Sequence, residues 1–182
     1  MSRDFHEVRL FVGTKAALRG IVGLVPSAQV FALTAGGSVF ALPLTDEVHE
    51  GLHRVNGTGE WIEFGGADFA PLLTTSDMAC AARASLGSAL AWIETGHAGA
   101  AAEQVGAVWI DGSLAMKPNV LRAGENRQRS LWPVNMALRL LGVNALGVSA
   151  EAAGGVDEFA AFGLDRFHSN EGIVARAMRV SV

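Results

Sequence analysis

The apolar residues of this chain recur with two different periods, and the change of period separates its elements. From Met78 onward they fall at Met78, Ala82, Leu86, Ala89 or Leu90, and Ile93, the three-and-four spacing of one helical face. Thr74, Thr75, Ser76 and Asp77 precede that run and supply N-cap residues. Residues 78–95 hold no proline and many alanines, and Gly96 follows as a stop. The pattern predicts one long central helix of about 28 Å. Met78, Leu86, Leu90 and Ile93 should then be buried, with Val108 and Ile110 from the following segment. Truncating Leu86 should cost about 2–5 kcal/mol.

That segment is a hairpin. Residues 104–110 lead into Asp111-Gly112, and residues 113–117 lead out. Asp-Gly between two apolar runs signals a two-residue turn, because both central residues need positive φ.

Alternation at residues 7–12 predicts a strand, and residues 16–24 a short helix. Residues 28–33 and 38–44 form a second hairpin, in which Pro43 marks an edge strand or a strand end. Thr45 caps a helix with Val48, Leu52 and Val55 as its inward stripe, ended by Asn56-Gly57. Residues 60–73 follow neither period, and Trp61, Phe64 and Phe69 pack under a loop or short strands. Residues 119–130 read as a polar loop. Pro133 opens a helix at the favoured first position, with Val134, Leu138 and Leu141 inward and Gly142 as its stop. Asp157 caps a brief turn through Phe162, and residues 173–182 read as a strand with some helical character. Hairpins mixed with helices give an α+β class: a single domain over residues 1–182, with a largely antiparallel sheet carrying the long helix and shorter ones.

Composition narrows the function classes. Half of the 182 residues are hydrophobic and 18% are charged, so the chain has enough apolar surface to build a core. The formal net charge of −4 argues against general nucleic-acid binding. Residues 20–45 lack charge, but Pro26, Gln29 and Gly36-Gly37 break them into β-like runs rather than a membrane span. The N-terminus is charged and lacks the apolar stretch of a signal peptide, which points to a cytoplasmic protein. Cys80 is the single cysteine, which excludes an intrachain disulfide, and its apolar setting predicts an inert buried thiol.

One motif carries chemistry. His49-Glu50-Gly51-Leu52-His53 is H-E-x-x-H, and on a helix both imidazoles face the same way and can share a zinc ion. Glu50 would act as general base on the metal-bound water. Arg54 and Gly51 sit poorly in a buried catalytic helix, and the extended motif with a third histidine is absent. The third ligand should then be an acid such as Glu60, Glu63 or Glu94. The competing expectation places His49, Glu50 and His53 on a solvated face, opposite Val48, Leu52 and Val55.

Other groups are weaker. Gly13-Thr14-Lys15 after a strand lacks the first glycine of a phosphate loop, since Val8 stands there, so Thr14 reads as a helix cap. Arg122, Arg127 and Arg129 offer an anion or partner contact. Asp165, Arg166, His168, Ser169 and Glu171 hold acid–base groups that also suit a capped turn. Trp61 and Trp132 flank loops as candidate partner anchors. Size, acidity and lack of a stronger catalytic signature favour a non-enzymatic module that binds a protein partner, of immunity or accessory type, without a cofactor. The alternative is a small zinc hydrolase.

Overall fold

The computed structural model describes residues 7–33, 38–63, 72–98, 101–146, 159, 164, 169–176 and 179–180. Its strands are β1 (Glu7–Gly13), β2 (Val30–Ala32), β3 (Phe40–Pro43), β4 (Ala89–Ala98), β5 (Ala101–Ile110), β6 (Ser113–Leu121) and β7 (Arg179–Val180). Its helices are α1 (Lys15–Leu24), α2 (Asp46–Asn56), α3 (Thr75–Ala84), α4 (Pro133–Leu146) and α5 (Asn170–Arg176). The strands form one sheet in the order β6-β5-β4-β1-β3-β2-β7, and every described pairing is antiparallel. The fold is α+β.

Alternation along the central strands divides the core in two. Phe11, Leu90, Trp92, Val105, Ala107 and Trp109 point to one face and pack against α1, α2 and α3. Val8, Leu10, Val12, Ala91, Ile93 and Val108 point to the other, against α4 and α5. Helices therefore cover both faces of the sheet.

The long central helix is not what residues 74–95 form. α3 ends at Ala84, the chain turns through Ser85 to Ser88 with Gly87 at φ +64°, and β4 begins at Ala89. A strand buried on both faces is a continuous apolar run, which a helical period can fit by accident. Alanine-rich sequence does not separate the two. The alternation decides it: Leu90 and Trp92 enter one core cluster, and Ala89, Ala91 and Ile93 the other. Gly96 lies within β4 rather than ending a helix. Leu86 falls in the turn and is 66% exposed, so its expected burial is overturned. Leu90, Ile93 and Val108 are fully buried, while Met78 and Ile110 are partly so.

The Asp-Gly turn forms where its chemistry placed it. Asp111 has φ 48° and Gly112 φ 76°, and Ile110 pairs with Ser113. β6 runs on to Leu121, through Asn119 and Val120, which had looked like the start of a loop. Pro133 is the first residue of α4, but the helix passes Gly142 and ends at Leu146. β3 lies inside the sheet, between β1 and β2, and Pro43 ends it. The C-terminal stretch is helix first and strand second, α5 then β7. Phe64, Phe69, Asp157 and Phe162 lie outside the described residues. No helix among the described residues is long and apolar enough to cross a membrane.

One glycine sets the distance between layers. A Cβ on Gly106 of β5 would lie 2.4 Å from the carbonyl oxygen of Pro133, so the start of α4 rests on bare backbone. Beside it, Gln104 accepts a hydrogen bond from the Val134 N–H at 3.4 Å, satisfying one donor of the helix start.

Candidate metal centre

α2 carries the H-E-x-x-H motif. Thr45 caps it, accepting a hydrogen bond from the Val48 N–H at 3.4 Å, and Asp46 and Glu47 occupy its first turn, where the helix dipole favours acids. Val48 and Leu52 bury the stripe that docks α2 on the sheet. The docking rotates His49 inward as well, so it is buried at 8% exposure, while His53 is half-buried and Glu50 exposed. The expected solvated face for this motif therefore holds for Glu50, holds only in part for His53 and fails for His49, while Val55, expected inward, is 54% exposed. Gly51, which weakens a helix in isolation, is where α2 meets Val25: a Cβ there would lie 2.8 Å from Val25 Cγ1.

The acid that meets the two histidines is Asp77, not Glu60, Glu63 or Glu94. Asp77 lies in the first turn of α3. It forms a capping box with Thr74: the Asp77 N–H donates to Thr74 Oγ1 at 3.1 Å, and the Thr74 N–H donates to Asp77 Oδ2 at 2.9 Å. The Thr74 hydroxyl donates to the same oxygen at 2.7 Å. His49 Nε2 stands 3.3 Å from Asp77 Oδ2, and His53 Nε2 stands 3.4 Å from Asp77 Oδ1. Among the described residues these three form the one group of His, Cys, Asp or Glu side chains whose ligand atoms all lie within 4.8 Å of one another. Glu60 and Glu63 are exposed and stay outside it.

Those separations decide what the cluster suits. His49 Nε2 and His53 Nε2 stand at the long end of hydrogen-bond reach of the carboxylate, at 3.3 and 3.4 Å. Ligand atoms about 2.0–2.1 Å from a tetrahedral zinc stand about 3.3 Å apart. Each imidazole presents Nε2 toward the carboxylate, and the ring centroids are 4.2 Å apart. Thr74 holds the carboxylate in position, as outer hydrogen bonds do around bound metals. Burial raises the Asp77 pKa, but hydrogen bonds from His49 and Thr74 outweigh it and leave the group below its ordinary value. The donor is thus a carboxylate at neutral pH.

A second buried acid lies below the cluster. Glu94 of β4 is 1% exposed, paired with Arg9 Nε at 3.4 Å and accepting from the Leu72 N–H at 3.2 Å. Burial pushes its carboxyl up to about 7, against the pull of Arg9, the Leu72 N–H, Trp92 and His49. The Trp92 indole N–H, also buried, influences Glu94 without reaching hydrogen-bond geometry to any acceptor.

The remaining candidates behave as structure. Cys80 is buried, and burial pushes its thiol up, away from reactivity. Thr14 caps α1 through the Ala17 N–H. In the arginine loop, Arg127 forks onto Glu125 at 2.8 and 2.6 Å and reaches Asn119 at 3.3 Å. The Arg122 N–H donates to Glu125 at 3.1 Å. That bond and then Arg127 hold the Glu125 carboxyl below its usual range. The Arg129 side chain, like Asp165, Arg166 and His168, lies outside the described residues, and Glu171 is exposed. Trp132 donates its indole N–H to the Arg127 carbonyl and is half-buried, whereas Trp61 is 51% exposed.

Asp77 is the residue that the sequence hid. Thr74 to Asp77 announce a helix start as a run of N-cap residues, but nothing in that run says that the start faces another helix 24 residues upstream. In comparisons with known proteins, no family model, curated protein or solved structure matches this chain. The site must be read from its own geometry.

Proposed function

We propose that His49, His53 and Asp77 bind a zinc ion and that the protein is a small zinc-dependent hydrolase, with Glu50 as general base. The observation that carries this reading is the convergence of three side chains able to ligate zinc, both imidazole Nε2 atoms lying 3.3 and 3.4 Å from oxygens of the Asp77 carboxylate and the ligand atoms all within 4.8 Å of one another. Two imidazoles and one carboxylate would supply three protein ligands, the number that catalytic rather than structural zinc takes. The two imidazoles keep 10% and 15% of their surface accessible, so the donors are not sealed in.

A zinc ion held by His49, His53 and Asp77 would polarise a substrate carbonyl and lower the pKa of a water to about 7. Glu50 would take the proton as the water oxygen bonds to the carbonyl carbon. As the bond from that carbon to the leaving nitrogen or oxygen breaks, Glu50 would return the proton to the leaving group. The partner-binding module rests on composition and acidity alone, so the metal reading is preferred.

Metal analysis tests it directly. Protein purified without added zinc, then equilibrated with one equivalent and desalted, should retain about one ion per chain. His49→Ala, His53→Ala and Asp77→Ala should each lose it. Glu50→Gln should keep the ion while losing hydrolysis of a generic ester or amide substrate. Zinc retention unchanged by all three ligand variants would end this reading.

A further inference from the structure

α2 ends at Asn56, and the chain reverses through Gly57 at φ +80° and Gly59 at φ +70°. Gly59 is pressed onto the start of α3: a Cβ would lie 2.7 Å from both the Ser76 nitrogen and Thr75 Oγ1. The returning strand of chain is then pinned at three points. The Glu60 N–H donates to Thr75 Oγ1 at 2.9 Å, the Thr75 N–H to the Glu60 carbonyl at 2.8 Å, and the Ile62 N–H to the Leu73 carbonyl at 3.0 Å. Trp61 sits in the middle of that bridge, opposite Thr74, the residue that orients the Asp77 carboxylate.

The indole is thereby fixed beside the metal donors. Its ring centroid lies 6.3 Å from that of His53, at 74°, an edge-to-face arrangement. His53 is the more exposed of the two histidines, so Trp61 stands on the accessible side of the cluster. Yet 51% of Trp61 remains open to solvent, while Trp92 and Trp109 are buried. A large aromatic surface, on a segment pinned by two backbone–backbone hydrogen bonds and one to Thr75 Oγ1 and left half uncovered, has more area than contact with His53 uses.

We infer that Trp61 is the substrate-facing wall of this site and selects substrates carrying an aromatic or other flat apolar group beside the bond to be cleaved. This inference rests on the zinc reading above. Trp61 is a specificity residue here: it touches the substrate's side group and not the reacting atoms. It pairs across the bridge with Thr74, which hydrogen-bonds the Asp77 carboxylate.

Hydroxamates provide a probe that needs no known substrate, because the hydroxamate group chelates the ion at its open position. Affinities of acetohydroxamate and phenylacetohydroxamate are measured on the zinc-loaded full chain, in wild type, Trp61→Ala and Trp61→Phe. Wild type should prefer the phenyl compound by about tenfold, the scale of one aromatic contact with its buried area. Trp61→Ala should bring the preference to within about twofold with acetohydroxamate affinity and zinc content unchanged, and Trp61→Phe should restore most of it. A preference absent in wild type, or intact in Trp61→Ala, overturns the inference while leaving the zinc reading standing. Failure of acetohydroxamate to bind a stoichiometrically loaded wild type overturns both, since no coordination position is then open. Should Trp61→Ala lose zinc, Trp61→Phe decides: a retained ion with no phenyl preference also overturns the inference.

Discussion

The two faces of the sheet are built from the same strands and by the same alternation, yet they bury different chemistry. On the face covered by α4 and α5 the buried polar residues, among those described, are Thr95, Gln104, Asn135 and Asn170, and none of these is ionisable. Three of them serve the backbone: Gln104 takes the Val134 N–H, Asn135 the Phe159 N–H and Asn170 the Arg9 N–H. On the face covered by α1, α2 and α3, the buried set includes His49, Asp77 and Glu94. Burying ionisable groups is costly unless they are paired or hold a metal. One face is thus organised for packing, and the other accepts a cost that a stabilising core alone would not require.

The largest effect should come from filling the site. Zinc at a free concentration about a thousandfold above its dissociation constant should stabilise wild type by about 4 kcal/mol, since it binds the folded state alone. Chelator should remove that gain, and His49→Ala should never show it. Thermal melts with and without zinc make the measurement, and a melt indifferent to both would make the polar face merely structural.

Ile93→Ala probes the opposite face of β4. Its side chain is fully buried against α4, so truncation should cost about 3 kcal/mol in denaturant unfolding, through lost burial plus a cavity. The cost should be the same with zinc present or absent, because Ile93 shares no face with the donors.

Glu94 gives the polar face a pH signature. Its carboxyl has an ordinary value of 4.5 and is raised to about 7 in the folded chain. Between those values the folded state holds a proton that the unfolded state has released. Stability of the zinc-free protein should therefore fall as pH rises from about 4.5 to 7, by up to about 3 kcal/mol, and level off above. Glu94→Gln should flatten that slope. Asp77 works in the opposite sense: its lowered pKa stabilises the fold above its ordinary 3.8, and that contribution is lost on further acidification.

Gly106→Ala tests the seam between β5 and α4. The added methyl meets the Pro133 carbonyl oxygen, a backbone atom that cannot rotate away, so about 2 kcal/mol should be lost. The smallest effect belongs to Leu86→Ala, within about 0.5 kcal/mol, as a mostly exposed turn residue requires. A large loss there would restore the helical account of residues 85–95.

Sequence determined what depends on near neighbours. The Asp111-Gly112 turn, the Thr45 cap of α2, the helix start within Thr74 to Asp77 and Pro133 at the start of α4 are local hydrogen-bond and φ preferences, and each formed where the residues put it. The i, i+4 spacing likewise put His49 and His53 on one side of α2. Tertiary structure decided the rest. Residues 89–98 are strand rather than helix because two neighbouring strands pair with them and helices bury both their faces, a context no local window contains. Asp77 joins the two histidines because α3 packs beside α2 and turns its capping carboxylate toward both imidazoles. Glu94 stayed outside the donor set because its strand lies a layer below, where Arg9 and the Leu72 N–H hold it. Spacing along one helix can nominate two ligands; the third comes from wherever packing brings an acid within reach.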